Sequence, residues 1–176
     1  MITQIPYPGL RPFERSESDI FFGREEQTDQ LLRRLESCHF LAIVGPSGCG
    51  KSSLVRAGMI AGLETGYMAT AGARWRVATM RPGGCPFSKL AAALLDKAAL
   101  GAEREGHENE AVFLEATLRR GPLGLVEVLR ETPLPKDTNL LVLVDQFEEI
   151  FRFRATADQD EADAFVALLL QSSVHP

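Results

Sequence analysis

The chain has 176 residues, 45% of them hydrophobic, and a formal net charge of −5 with acidic and basic residues interspersed. That is enough apolar material for one substantial core, and the lack of a basic stripe argues against nucleic acid or an anionic membrane as a primary partner. No stretch reaches the apolar length of a membrane span, and Cys38, Cys49 and Cys85 form no CxxC pair or metal-ligand spacing, which suits a reducing, cytoplasmic compartment.

The first segment, Pro6-Tyr7-Pro8-Gly9-Leu10-Arg11-Pro12-Phe13, reads as an extended arm leading to Ile20-Phe21-Phe22-Gly23-Arg24-Glu25 and a helix start. Residues Glu25 to Cys38 then predict an amphipathic helix with Leu31, Leu32 and Leu35 on one face. His39 to Val44 is a near-continuous apolar run, the pattern of a parallel strand buried on both faces. After a glycine-rich loop, Lys51 to Leu63 has helical spacing, weakened by Gly58 and Gly62. A second strand, Trp75 to Met80, stops at Arg81-Pro82-Gly83-Gly84. Pro86 opens a helix that runs through Ala98, with Gly101 as its stop, and Gly101 to Glu110 reads as a polar loop. Two helical patches follow, at Ala111–Arg119 and Leu123–Arg130, split by Gly121-Pro122. A loop from Thr132 to Asn139 leads into the strand Leu140–Val144, and a last helix covers Asp160 to Leu170. Strand and helix alternate in the order expected of an α/β fold with a mainly parallel sheet.

Chemistry concentrates in two places. The nonamer Gly45-Pro46-Ser47-Gly48-Cys49-Gly50-Lys51-Ser52-Ser53 satisfies G-x-x-x-x-G-K-[ST] and lies between an apolar run and a helical pattern. Glycines there let the backbone wrap a phosphate chain with its N–H groups pointing inward. Lys51 supplies a point charge for the β- and γ-phosphates, the Ser52 hydroxyl can ligate Mg²⁺, and the following helix presents its positive end. This Walker A motif implies binding of a nucleoside triphosphate and the three-layer αβα arrangement of P-loop NTPases. Cys49 reads as a small tolerated loop residue rather than a redox thiol.

The second place is the end of the third strand, Leu140-Leu141-Val142-Leu143-Val144-Asp145-Gln146-Phe147-Glu148-Glu149. A buried strand delivers an acid at its carboxyl edge, where ligands bind in open α/β sheets. Asp145 is a Walker B candidate for Mg²⁺, and Glu148 or Glu149 for orienting the attacking water. Taken alone, the same pattern also fits a buried strand followed by an acid-rich helix start. Arg81, at the end of the second strand, shares the ligand-binding edge, although a position beside Pro82-Gly83-Gly84 is more often a simple turn.

The segments PYPGLRPF, FFGRE, GPSGCGKSS, Thr79-Met80-Arg81-Pro82-Gly83-Gly84 and LVLVDQFEEIF together resemble STAND-class P-loop NTPases, relatives of the AAA+ and NACHT groups. They look most like the bacterial subgroup often fused to WD-type repeats. The resemblance implies an arm and nucleotide-base box over residues 1–24, with Phe22, Gly23 and Arg24 bordering the adenine, and a P-loop core over residues 25–176. It points to Glu149, with Glu148 close behind, as the water-activating group. It further implies an ATP/ADP-gated signalling switch that hydrolyses slowly, works beside effector and repeat-sensor domains, and self-assembles with ATP. Family members carry a sensor strand and helical segments beyond the point where this chain stops at Pro176, so the resemblance implies the leading part of a longer protein. The flanking strands would then close up or borrow pairing from another segment.

Two other readings stay open on the residues. One is a module that holds ATP or ADP with negligible hydrolysis and signals by assembly. The other is a different P-loop class, a transporter ATPase or nucleotide kinase. The transporter reading lacks an LSGGQ-like signature and has Asp145-Gln146 where a DE pair is expected, and a kinase usually begins at its phosphate loop.

Overall fold

A computed structural model describes residues 8–67, 74–101, 109–156 and 159–174. Pro6 and Tyr7 of the arm, and residues 102–108 of the polar loop, lie outside the described residues. The chain divides into two compact units, Met1–Arg74 and Trp75–Pro176.

In the first unit a short 3₁₀ turn, Arg15–Ile20, precedes the helix Glu25–Ser37. The helix after the phosphate loop is built from Lys51–Ser53, a π-helical stretch Leu54–Ile60, and Ala61–Glu64. It therefore runs one residue past the expected end in spite of its glycines. Gly58 and Gly62 are where the helix Glu25–Ser37 comes closest. A Cβ on Gly58 would lie 2.5 Å from Thr28 Oγ1, and one on Gly62 would lie 2.9 Å from Leu32 Cδ1. What propensity scores as a weakness is here a close packing site. Leu32, Val55, Met59, Ile60 and Leu63 are buried in this unit, where the two helices pack on each other.

The expected strand His39–Val44 is corrected. No strand pairs with it among the described residues, and Phe40 and Val44 are 46% and 91% exposed. An apolar run states what a segment would bury; it does not supply the neighbouring strands that burial requires.

In the second unit the strands Arg74–Met80 (β1) and Thr138–Val144 (β2) form a two-stranded parallel sheet. The helices Pro86–Leu94, Glu110–Leu118, Gly124–Glu131, Glu149–Thr156 and Gln159–Ser172 accompany it. Leu90, Leu94, Leu118, Val128, Phe165 and Leu168 are fully buried in one apolar cluster. Phe87 and Phe165 meet edge to face at 5.6 Å, with the Arg119 guanidinium 4.7 Å above Phe87. The α/β class read from the order of elements is the class observed.

Several boundaries differ from expectation by a residue or two, and three differences have more to say. The helix opened by Pro86 ends at Leu94 rather than Ala98, because Asp96 turns the chain back toward β1. Its Oδ1 accepts the Ala98 N–H at 2.8 Å, and Ala98 O accepts the Val77 N–H at 2.9 Å. Gly101 closes this turn, where a Cβ would sit 2.1 Å from Leu95 O. The strand β2 begins two residues earlier than the apolar run, at Thr138. Glu149–Thr156 is a separate helix where the sequence suggested only an acidic helix start. No helix among the described residues is long and apolar enough to cross a membrane.

Candidate functional site

The phosphate loop is shaped by backbone conformations that only glycine adopts freely. Gly48 (φ +76°) and Gly50 (φ +88°) lie in the left-handed region with no atom within 4 Å of a Cβ, so conformation rather than space demands them. The helix begins at Lys51, and Gly50 O accepts the first helical bond from Leu54 N–H at 2.9 Å. Lys51 Nζ donates to Gly45 O at 2.8 Å and Pro46 O at 3.0 Å, which folds the ammonium back over the loop. Residues 45–50, including Ser47 and Cys49, are exposed, while Ser52 and Ser53 are half-buried. Exposed loop amides, an ammonium and a helix N-terminus converge in one short stretch, an arrangement suited to an anion with several oxygens.

The segment Phe22-Gly23-Arg24 reaches that loop through Arg24. Arg24 Nη2 donates to Cys49 O at 3.4 Å. Gly23 (φ +80°) turns the chain and donates its N–H to Glu25 Oε1 at 2.9 Å, a bond that holds the Glu25 carboxyl below its ordinary range. The Phe22 ring is 76% exposed.

The arm is tied to the loop helix at three points that sequence reading did not find. Phe13 N–H donates to Ser53 Oγ at 3.1 Å, and Glu14 pairs with Arg56 and Arg15 with Glu64, each at 2.6 Å. Arg11 braces the arm through a two-pronged pair with Glu17, at 2.6 and 2.7 Å. That guanidinium, together with the Glu14 N–H, lowers the Glu17 carboxyl to about 2. None of these ties has a periodic or motif signature; the spacing of opposite charges 42 residues apart carries no local signal.

In the second unit, β2 delivers Asp145 to its carboxyl end, where Asp145 N–H donates to Met80 O at 2.9 Å. Its side chain is only 11% exposed. Oδ1 accepts the Gln146 N–H at 3.1 Å, and Oδ2 faces Arg81 Nη2 at 3.8 Å. Gln146 itself is left-handed (φ +55°), an uncommon conformation for a residue with a Cβ, of the kind that recurs at functional sites. Of the two following acids, Glu149 is half-buried and its Oε2 accepts the Gly83 N–H at 3.0 Å, whereas Glu148 is exposed. The turn Arg81-Pro82-Gly83-Gly84 therefore touches both Asp145 and Glu149.

The candidate residues thus fall into two groups. Phe22, Gly23, Arg24, the loop Gly45–Gly50, Lys51, Ser52 and Ser53 lie in the first unit, and Asp145, Glu148 and Glu149 lie in the second. Among the described residues, no three His, Cys, Asp or Glu side chains cluster as metal ligands. The Ser52 hydroxyl and the Asp145 carboxylate are hard oxygen donors of the kind Mg²⁺ uses when phosphates and water complete its shell.

Comparison with known proteins agrees with the motif geometry. The Novel STAND NTPase 1 family model matches residues 6–175. Over 44 residues the chain is 50% identical to the sn-glycerol-3-phosphate import ATP-binding protein UgpC of Ruegeria pomeroyi, covering 25% of this chain and 12% of that protein. It is 52% identical over 44 residues to the aliphatic sulfonates import ATP-binding protein SsuB of Albidiferax ferrireducens, covering 25% and 15%. A putative ATP-binding protein of Brucella abortus is 51% identical over 43 residues, covering 24% and 12%. The matched parts are thus a small fraction of these curated relatives' own length. No solved structure matches the chain. With nearly every residue under one family model, and with a phosphate loop and an acid-tipped strand in an α/β framework, the chain belongs to the Novel STAND NTPase 1 family.

Proposed function

We propose that this chain is the nucleotide-binding part of a cytoplasmic signalling switch, one that binds ATP or ADP with Mg²⁺ and hydrolyses ATP slowly. The observation that carries the reading is the loop: two left-handed glycines and a half-buried lysine, folded onto the loop carbonyls at the start of a helix, within a chain of a STAND NTPase family. In this proposal the loop amides and Lys51 hold the β- and γ-phosphates, and Phe22, Gly23 and Arg24 border the base. Ser52 and Asp145 hold the cation. When bound, Mg²⁺ would supply positive charge that offsets the negative charge of phosphoryl transfer. Glu149 orients the attacking water, with Glu148 as its neighbour. Effector and sensor domains of a longer protein, and assembly driven by ATP, complete the proposed switch.

A second reading has an observation of its own. Glu149 is engaged by Gly83 N–H and Asp145 faces Arg81, so neither carboxylate is waiting idle. Such a module retains nucleotide and turns it over at a negligible rate. Phosphate release against nucleotide retained on purification separates the two readings.

The deciding experiment for nucleotide binding is calorimetry on Lys51→Ala. The substitution removes one or two charge-assisted hydrogen bonds worth about 1.5–3 kcal/mol each, so ATP affinity should fall at least roughly tenfold while AMP binding hardly changes. Equal ATP affinity in both proteins would overturn the phosphate-loop assignment.

A further inference from the structure

We propose that Arg81 is a positioning residue whose guanidinium competes with Mg²⁺ for the Asp145 carboxylate, so that loading of the cation requires Arg81 to be displaced. The inference rests on the reading of Asp145 as a cation-holding residue and goes beyond it by assigning a role to the turn after β1.

The end of the sheet brings the two side chains together. Asp145 N–H bonds to Met80 O, so the ladder between β1 and β2 continues to their ends. Arg81 follows Met80, and its side chain reaches the Asp145 side chain across the end of that ladder. The two oxygens of Asp145 are not equivalent. Oδ1 is occupied by the Gln146 N–H at 3.1 Å, within a bend that Gln146 adopts at positive φ. Oδ2 is the oxygen turned toward the guanidinium, at 3.8 Å. A cation that takes the oxygen not engaged by the Gln146 N–H meets the Arg81 guanidinium. A cation and the guanidinium brought to that oxygen repel each other, and solvent around the half-exposed arginine screens most of that repulsion.

The partners differ in freedom. Asp145 is 11% exposed and held through its own amide, whereas the Arg81 side chain is 52% exposed and can swing on its long stem. The backbone behind Arg81 is fixed separately, because Gly83 N–H is bonded to Glu149 Oε2. Displacement therefore involves the Arg81 side chain alone, while the turn goes on holding Glu149.

The test titrates Mg²⁺ against the full chain with fluorescent N-methylanthraniloyl-ATP and reads the Mg²⁺ concentration at half-maximal nucleotide binding. Arg81→Gln should lower that midpoint by about two- to fivefold, the range of a partly exposed ion pair. Arg81→Lys keeps a cation and should stay near the wild-type midpoint, and the double variant Arg81→Gln with Asp145→Asn should match Asp145→Asn alone. Arg81→Met replaces Arg81→Gln as the neutral variant if Trp75 fluorescence shows the latter misfolded. An unchanged or raised midpoint in the neutral variant, or an additive shift in the double variant, overturns the proposal. If Asp145→Asn shifts the midpoint and Arg81→Gln does not, the proposal fails while the Asp145 reading stands. If Asp145→Asn shifts nothing, both fail.

Discussion

The phosphate loop and the acid-bearing strand end are held by different means. The loop owes its shape to backbone conformation, with glycines at positive φ and a lysine folded onto loop carbonyls, and the apolar run before it pairs with no strand among the described residues. The acids owe theirs to tertiary contacts: a ladder bond from the Asp145 N–H to Met80 O, a turn amide on Glu149, and a buried cluster in the same unit. One region is specified by which residues are adjacent in sequence, the other by which residues meet in space. Variants that strike the core should therefore damage the second region and leave the first comparatively indifferent.

The largest effect is expected at Phe165, which is fully buried and packed edge to face on Phe87. Phe165→Ala should destabilise the second unit by about 3–5 kcal/mol, read by urea denaturation through the fluorescence of Trp75, the single tryptophan. Val44→Ala, at a side chain 91% exposed, should stay within about 0.5 kcal/mol. A large loss at Val44 would show that the apolar run before the loop is buried after all and would dissolve the contrast.

A hydrolysis assay sharpens the comparison within the acids. In the complete protein, Glu149→Gln should leave ATP binding nearly intact and lower phosphate release by about a hundredfold, because a positioned base contributes roughly 10²–10⁴. Glu148→Gln should do much less. The reverse ranking would move the role one residue earlier, to the exposed acid that the turn does not touch.

The smallest effect concerns the arm and pH. The Glu17 carboxyl is lowered to about 2 by Arg11 and the Glu14 amide, and Glu25 is lowered by the Gly23 amide. Depressed carboxyls stabilise the fold above their ordinary pKa and lose that contribution as pH falls through the folded value. The stability difference between wild type and Glu17→Gln should thus be full above pH 4.5 and shrink toward pH 2. A difference constant across that window would mean that the Arg11–Glu17 pair adds nothing.

Much of this was legible in the sequence because it is local. The loop motif, the helix starts at Glu25 and Pro86, and the strand that leads into Asp145 all leave signals within a few residues. What was not legible is long-range. No pattern tells that Gly83 will reach Glu149, that Phe13 will reach Ser53, or that Asp96 will end a helix early to serve β1. The run His39–Val44 misled for the same reason, since its composition describes a preference for burial and nothing about available neighbours. Gly58 and Gly62 misled in the opposite direction, as an isolated-helix scale cannot see a second helix.

Those two glycines have a mechanical consequence. They form successive notches on one face of the loop helix, and Thr28 and Leu32, likewise four residues apart, seat in them like teeth. Turning the loop helix by a single residue would bring either Ala57 and Ala61 or Met59 and Leu63 to the notches, and even a Cβ is too close there, so the pair engages in one register. Because the toothed helix begins at Glu25, immediately after the base box, and the notched helix begins at Lys51, the two ends of the proposed nucleotide grip are geared together. Any force that shifts the box relative to the loop must strip the gear or carry both helices along as one lever.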